Sequence, residues 1–399
     1  MIVPTHAASR TDRHRTGFAA IVTVIGAVLC VRHGSPAAAA ELPRLLDVPL
    51  QVSTPMAPVA FRSNGQSHLV YEIQITNLST TPWTLRQVEV RDEHGAKLLA
   101  VDGENLTGVL WHPAGQRGSE GVSPDTVAAG ESLFAYLWID LDGKAVLPDQ
   151  LSHRLLVKRV GEEQERELAA PTVQVSHTVR EIFAPLRGTD WLAANGPSNT
   201  SAHRRALLVL DGGPHIGQRY AIDWVRVGPD SKTFRANKSD NRSYLCYGSE
   251  VLAAGDGVVA QIKDGIKENV PQQPPAVPIS LETIAGNHIN LDLGGGVFAL
   301  YAHLQPRSLR VKVGDKVRRG QVLGLVGNSG NSTEPHLHFQ LMNRNSPLGS
   351  EGLPYTLAEY TISKRVTGAF ESEPRAVKLA APEKHHGEMP LEMQLIDFD

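Results

Sequence analysis

Short runs of β-branched and aromatic residues, each soon stopped by Gly, Pro, Asn or Asp, recur along this chain from about residue 45 onward. Leu69-Val70-Tyr71-Glu72-Ile73-Gln74-Ile75-Thr76 is the clearest, with a turn supplied by Asn77 to Pro82. Gln87–Val90, Ser132–Ile139 and Arg154–Val160 repeat the pattern. Such runs read as strands, because branched and aromatic side chains suit a pleated, half-buried surface and Gly or Pro ends the ladder. No segment here keeps the i, i+3, i+4, i+7 period that an amphipathic helix needs. The 36 Gly and 26 Pro of the 399 residues strengthen the reading, since both favour turns over long helices. The expectation is an all-β protein whose first module, residues 45–175, is an antiparallel, Ig-like β-sandwich. That module offers no constellation of catalytic residue types.

A chain of this length exceeds one ordinary domain. The second region, 180–368, is also strand-rich: Ala206–Leu210, Val251–Ile262, His288–Leu293, Val297–Ala302, Gln321–Val326 and His336–Met342. Two loops interrupt it. Pro229 to Tyr247 is polar and basic, and Asp264 to Glu282 carries Pro271, Pro274, Pro275 and Pro278. Long loops on a sheet domain serve well as walls of a cleft. Residues 369–399 form a tail, charged at first, whose apolar alternation from Met389 to Ile396 suits a strand that docks back.

Arg10, Arg13 and Arg15 precede an apolar run from Gly17 to Val31, followed by Pro36-Ala37-Ala38-Ala39-Ala40. A basic start, a short apolar core and a small-residue site describe a secretory signal peptide over residues 1–40. The run falls short of the roughly 20 residues that a membrane-spanning helix needs, so no stable membrane span is expected after cleavage. The protein is expected to be exported, to the periplasm or the cell exterior. Leu29 before Cys30 disfavours a lipoprotein signal. Cleavage near Ala40 leaves Cys246 alone, which excludes both an internal disulfide and a cysteine-held zinc. A formal charge of −3 provides no basic field, so nucleic acid is not an expected partner. The oligomeric state is not legible.

Chemistry concentrates in Pro335-His336-Leu337-His338-Phe339. On a strand, i and i+2 project from one face, so two imidazoles meet there while Leu337 and Phe339 turn to the other side. Two surface histidines on an edge strand would give the same spacing, but a metal or a proton-transfer role would organise the pair. Upstream, Tyr301-Ala302-His303-Leu304 closes an apolar strand with a third histidine, and Ala221-Ile222-Asp223-Trp224 sets a carboxylate inside an apolar run. A buried aspartate is costly unless paired or metal-bound. Histidine and carboxylate are the usual ligands of hydrolytic zinc, three from the protein with one position left open.

Several blocks then come in order: Ala253 to Val259, Gly286 to Ile289, Tyr301 to Leu304, Val313 to Gln321 and Gly327 to Phe339. With these, residues from about 198 to 345 resemble the lysostaphin-type (LytM-domain) zinc metalloendopeptidases, which cut peptidoglycan peptides. The resemblance implies Zn²⁺ as cofactor, peptidoglycan peptides as substrate, and Asp223 and His338 as metal ligands. It also implies that His303 and His336 orient and deprotonate the attacking water and stabilise the tetrahedral intermediate. One position departs. The family has a histidine four residues before its aspartate, and here Arg219 stands there; a protonated guanidinium cannot ligate zinc. His203, in the strand-like run Ser201 to Arg205, is the favoured third ligand, because a strand fixes a ligand better than a Gly-Pro turn does. His215, in Gly213-Pro214-His215, is the second candidate, and the absence of a third protein ligand is the last. A degenerate domain that binds the wall or regulates another hydrolase is the alternative function, and an active peptidase with a different target is a third.

Bland expectations cover the rest. His385 and His386 read as a solvated surface pair, His288 as an exposed strand position, and Cys246 as a structural thiol.

Overall fold

The computed structural model describes residues 48–113, 123–367 and 375–398, and its regular secondary structure is nearly all strand. The signal peptide expected at 1–40 lies outside the described residues. Among the described residues no helix is long and apolar enough to cross a membrane.

Two five-stranded sheets come first along the chain. One runs from Leu50–Ser53 through Gln66–Asn77 and Ser132–Asp142 to Leu110–Trp111; the other joins Glu165–Gln174, Gln150–Arg159, Trp83–Asp92 and Lys97–Asp102. All their pairings are antiparallel. Their inward residues, among them Leu69, Ile73, Val88, Leu137 and Leu155, share one core, as two packed sheets require. The seven-residue helix Gly103–Val109 departs from the expected absence of helix. It buries only Leu106, too short a segment for a period to register.

A twelve-stranded sheet carries the second region. Its middle runs Gly188–Ala194, Ile222–Arg226, Leu337–Met342, Phe298–Leu304 and Asn287–Asp292. Trp191, Trp224, Tyr301, Phe339 and Tyr355 pack on one face of it. Phe61 and Val70 of the first sheet join that same core, and Tyr220 donates its hydroxyl to the Val70 carbonyl at 3.0 Å. Val48–Asp399 thus form one compact unit.

The tail belongs to this sheet. Arg375–Glu388 pairs with Tyr355–Thr367, and Gln394–Phe398 slots between Tyr355–Thr367 and Gly188–Ala194. His385 is therefore no solvated residue: it stacks on Tyr360 at 4.8 Å and bonds Glu388 at 2.8 Å, while His386 on the opposite face is exposed. His288 is likewise buried, its Nδ1 facing the Gly286 carbonyl at 2.9 Å, because its strand is covered on both faces. Cys246 is buried with its thiol on the Pro335 carbonyl at 2.9 Å, and burial pushes its pKa up to about 12.

Candidate metal centre and cleft

Strand register builds the site. Asp223 stands directly opposite His338, and His338 opposite Ala302 on the next strand. Directly opposed residues of an antiparallel pair share a face, so the Asp223 carboxylate and the His338 ring meet above the sheet. His303 follows Ala302 in the left-handed region at φ 63°. A non-glycine residue there costs of order 1 kcal/mol and clusters at functional sites. The twist swings the His303 ring back towards His336, ring centroids 4.7 Å apart. His203, Asp223 and His338 each offer a ligand atom within 4.8 Å of the others. All five residues line one cleft of about 440 Å³, with Leu208, Leu300 and Leu348 among its apolar walls.

His203 arrives there for a reason the sequence did not give. It sits in a turn, not a strand, whereas His215 ends the strand Gly213–His215 and is tied to Glu351 at 2.9 Å. The segment around His203 is held by Nδ1 on the Asn195 carbonyl at 2.9 Å and by Ser201 on that same oxygen at 2.8 Å. Arg219 does not face the cleft. Its side chain is buried against Glu72 of the first sheet and Glu351, at 2.9 and 2.6 Å.

The hydrogen bonds fix which nitrogen of each imidazole carries the proton. Backbone carbonyls accept only, so His203, His303 and His336 donate from Nδ1 to Asn195, Ser329 and Glu334 at 2.9, 2.7 and 2.8 Å. His338 is oriented the other way round. The Gln340 amide donates to the Pro347 carbonyl at 3.1 Å, which turns its oxygen to His338 Nε2 at 2.8 Å. His338 must donate from Nε2 and presents Nδ1, 2.9 Å from Asp223 Oδ1. His336 Nε2 lies 3.3 Å from that oxygen and His203 Nε2 lies 3.4 Å from Asp223 Oδ2. Among the described residues Asn195 is the side chain that donates into this group, to Asp223 Oδ2 at 2.9 Å. The cleft floor is thus a buried carboxylate ringed by imidazole lone pairs, an acceptor-rich pocket that calls for a cation.

The buried carboxylate draws positive charge towards itself. Burial opposes the charge of Asp223, yet His203 and His336 beside it hold the carboxyl well below the usual range. Burial pushes His203 down to about 4. Burial, with His336 and His338 nearby, also holds His303 well below its ordinary value. Burial works against the charge of His336 too, but the adjoining Asp223 raises it.

The family model described as peptidase family M23 matches residues 244–349, which include His303, His336 and His338. These residues are a peptidase family M23 domain. Asp223 and His203 lie upstream of the matched span. The M23 domain is accompanied by similarity to the peptidoglycan DD-endopeptidase ShyA of Vibrio cholerae, 34% identical over 192 residues, 48% of this chain and 39% of that protein. The glycyl-glycine endopeptidase ALE-1 of Staphylococcus capitis is 50% identical over 58 residues, 14% of this chain and 16% of its own. The chain therefore spans well under half the length of these relatives. Among solved structures, the lysostaphin catalytic domain from Staphylococcus simulans is 26% identical with a TM-score of 0.23, covering 41% of this chain and 88% of that one. A zinc-containing peptidase from Vibrio cholerae is 13% identical with a TM-score of 0.25, covering 75% and 83%.

Proposed function

We propose that this protein is a zinc metalloendopeptidase that hydrolyses peptide cross-links of cell-wall peptidoglycan. The observation that carries the reading is the acceptor-rich floor of the cleft, where His203, His336 and His338 are each turned by a carbonyl or amide so that a ring nitrogen lone pair faces Asp223. Two imidazole nitrogens and a carboxylate fit Zn²⁺, and the set leaves a position open. His203 by Nε2, Asp223 and His338 by Nδ1 would hold the ion. When bound, zinc supplies Lewis acidity, which acidifies water and polarises a peptide carbonyl.

The chain's own residues supply the rest. His336 and His303, their Nδ1 protons fixed on Glu334 and Ser329, keep Nε2 free on the cleft side. His336 takes the proton of the attacking water and delivers it to the leaving amine, as general base and then general acid. His303, neutral with its Nε2 lone pair on the cleft side, can hold a water whose other proton steadies the negative charge that grows on the carbonyl oxygen. Leu208, Leu300 and Leu348 give the walls an apolar surface suited to short, uncharged side chains of a peptide. The relative named as a peptidoglycan DD-endopeptidase supports the wall peptide as substrate, and the one named as a glycyl-glycine endopeptidase supports cleavage within a peptide. Export, with action outside the cytoplasmic membrane, is part of the same proposal.

The test is metal content and muropeptide release together. Purified protein should carry about one zinc per chain and release uncross-linked muropeptides from sacculi. Chelation should stop the release and added zinc restore it. Zinc-free protein, or His338→Ala with undiminished release, refutes the proposal.

A further inference from the structure

The fold brings the first module to the back of the metal centre. Arg204, the residue after His203, is fully buried, and its guanidinium crosses into the first sheet. There it pairs with Glu72 and donates to the Tyr71 and Leu137 carbonyls at 3.0 and 3.3 Å, on two adjacent strands that face each other in register. Glu72 is a carboxylate almost wholly hidden in the strand Gln66–Asn77. Its second partner is Arg219, which goes on to Glu351, and Glu351 to His215. Two guanidinia against two carboxylates balance in charge, as a buried ionic chain requires.

Neighbouring contacts point the same way. Asn199 donates to the Tyr136 carbonyl at 3.0 Å, and Arg205 donates to Gly108 at 3.0 Å while lying 4.3 Å over the Tyr136 ring. A segment without regular structure is thus fastened to the first module on both sides of His203. The same module also occupies Arg219, at the position where the sequence pattern expects a ligand.

On the reading of His203 as a metal ligand, we infer that Arg204, held by Glu72, is a positioning residue that sets His203 against Asp223 and His338. The first module is then a structural part of the metal centre. A ligand on a turn is placed only as well as the turn is pinned, and outer partners of metal ligands commonly govern affinity about 10- to 100-fold.

The test is a thermodynamic cycle on the full chain, with zinc affinity measured by chelator competition. Arg204→Met, which leaves Glu72 paired with Arg219, should bind zinc about 10- to 100-fold more weakly. In a His203→Ala background the same substitution should cause no further loss, a result that a merely structural role would not produce. Unchanged affinity in Arg204→Met, or an equal loss in both backgrounds, overturns the inference. If Arg204→Met shows no cooperative melt without metal, Glu72→Gln is carried through the same cycle and decides. His203→Ala alone separates the two levels. Wild-type affinity there refutes the ligand assignment itself, whereas weakened zinc in His203→Ala beside unaltered Arg204→Met refutes only the positioning role.

Discussion

Replacing Gln340 by Leu keeps the volume of a buried side chain and removes one acceptor, and its effect on metal affinity can be worked from the site. In the native arrangement His338 donates from Nε2 to Gln340, leaving Nδ1 bare towards Asp223. Without Gln340 the metal-free ring has a better choice, a proton on Nδ1 donated to Asp223 Oδ1. Binding at Nδ1 then forces the proton to Nε2, where no acceptor remains and the side chain is only 5% exposed, too little for water to substitute. A buried, orphaned N–H costs about 1–3 kcal/mol. At about 1.4 kcal/mol per tenfold, Gln340→Leu should weaken zinc roughly 5- to 150-fold. The Pro347 carbonyl, orphaned in both metal-free and loaded protein, lowers stability but cancels from the affinity. Chelator competition reads the affinity and a melt of the metal-free protein reads the stability. Zinc affinity within about twofold of wild type, in a variant that still melts cooperatively, would refute the assignment of His338 Nδ1 as the ligand atom.

Two further outcomes follow from other parts of the fold. Arg219→His restores the family's residue but should not strengthen zinc binding; it leaves Glu72 with Arg204 alone and Glu351 with His215 alone, and denaturant melts should show a loss of about 3–5 kcal/mol, the scale of a broken buried pair. His153, buried with the Tyr71 hydroxyl on its Nε2 at 2.9 Å, has its pKa pushed down by burial from 6.5 to about 4. Between those values the unfolded chain binds the extra proton, so this contribution is complete above about pH 6.5 and is lost as pH falls towards 4. The loss is about 3 kcal/mol. His153→Gln should flatten the pH dependence of stability over that window by this amount, and parallel curves for the two proteins would refute it.

Much of the site was legible from local order alone. The i, i+2 spacing of His336 and His338, and Asp223 in an apolar strand, need only strand periodicity, whereas His303 joins them in one cleft through its left-handed backbone. The position of His203 was anticipated for a wrong reason: its segment is a turn, fixed by contacts to Asn195, Tyr71 and Leu137 rather than by a ladder. The fate of Arg219 was illegible, because its partner Glu72 lies 147 residues away and no pattern in either stretch points to the other. His288 and His385 were misjudged for a related reason. Periodicity tells which face a strand residue takes, but burial depends on what later packs over that face.

The placement of Gln394–Phe398 bears on how the protein is made. It lies inside the large sheet, hydrogen-bonded on one side to Gly188–Ala194 and on the other to Tyr355–Thr367. Gly188–Ala194 in turn flanks the strand that bears Asp223. During synthesis, therefore, the Asp223 strand and its neighbour are present some 170 residues (398 minus 226) before the strand that closes their sheet. Local hairpins such as Asn287–Asp292 with Phe298–Leu304 can pair as they emerge. The floor of the cleft gains its full backing only when Gln394–Phe398, made well after the strand that bears Asp223, threads between its two neighbours.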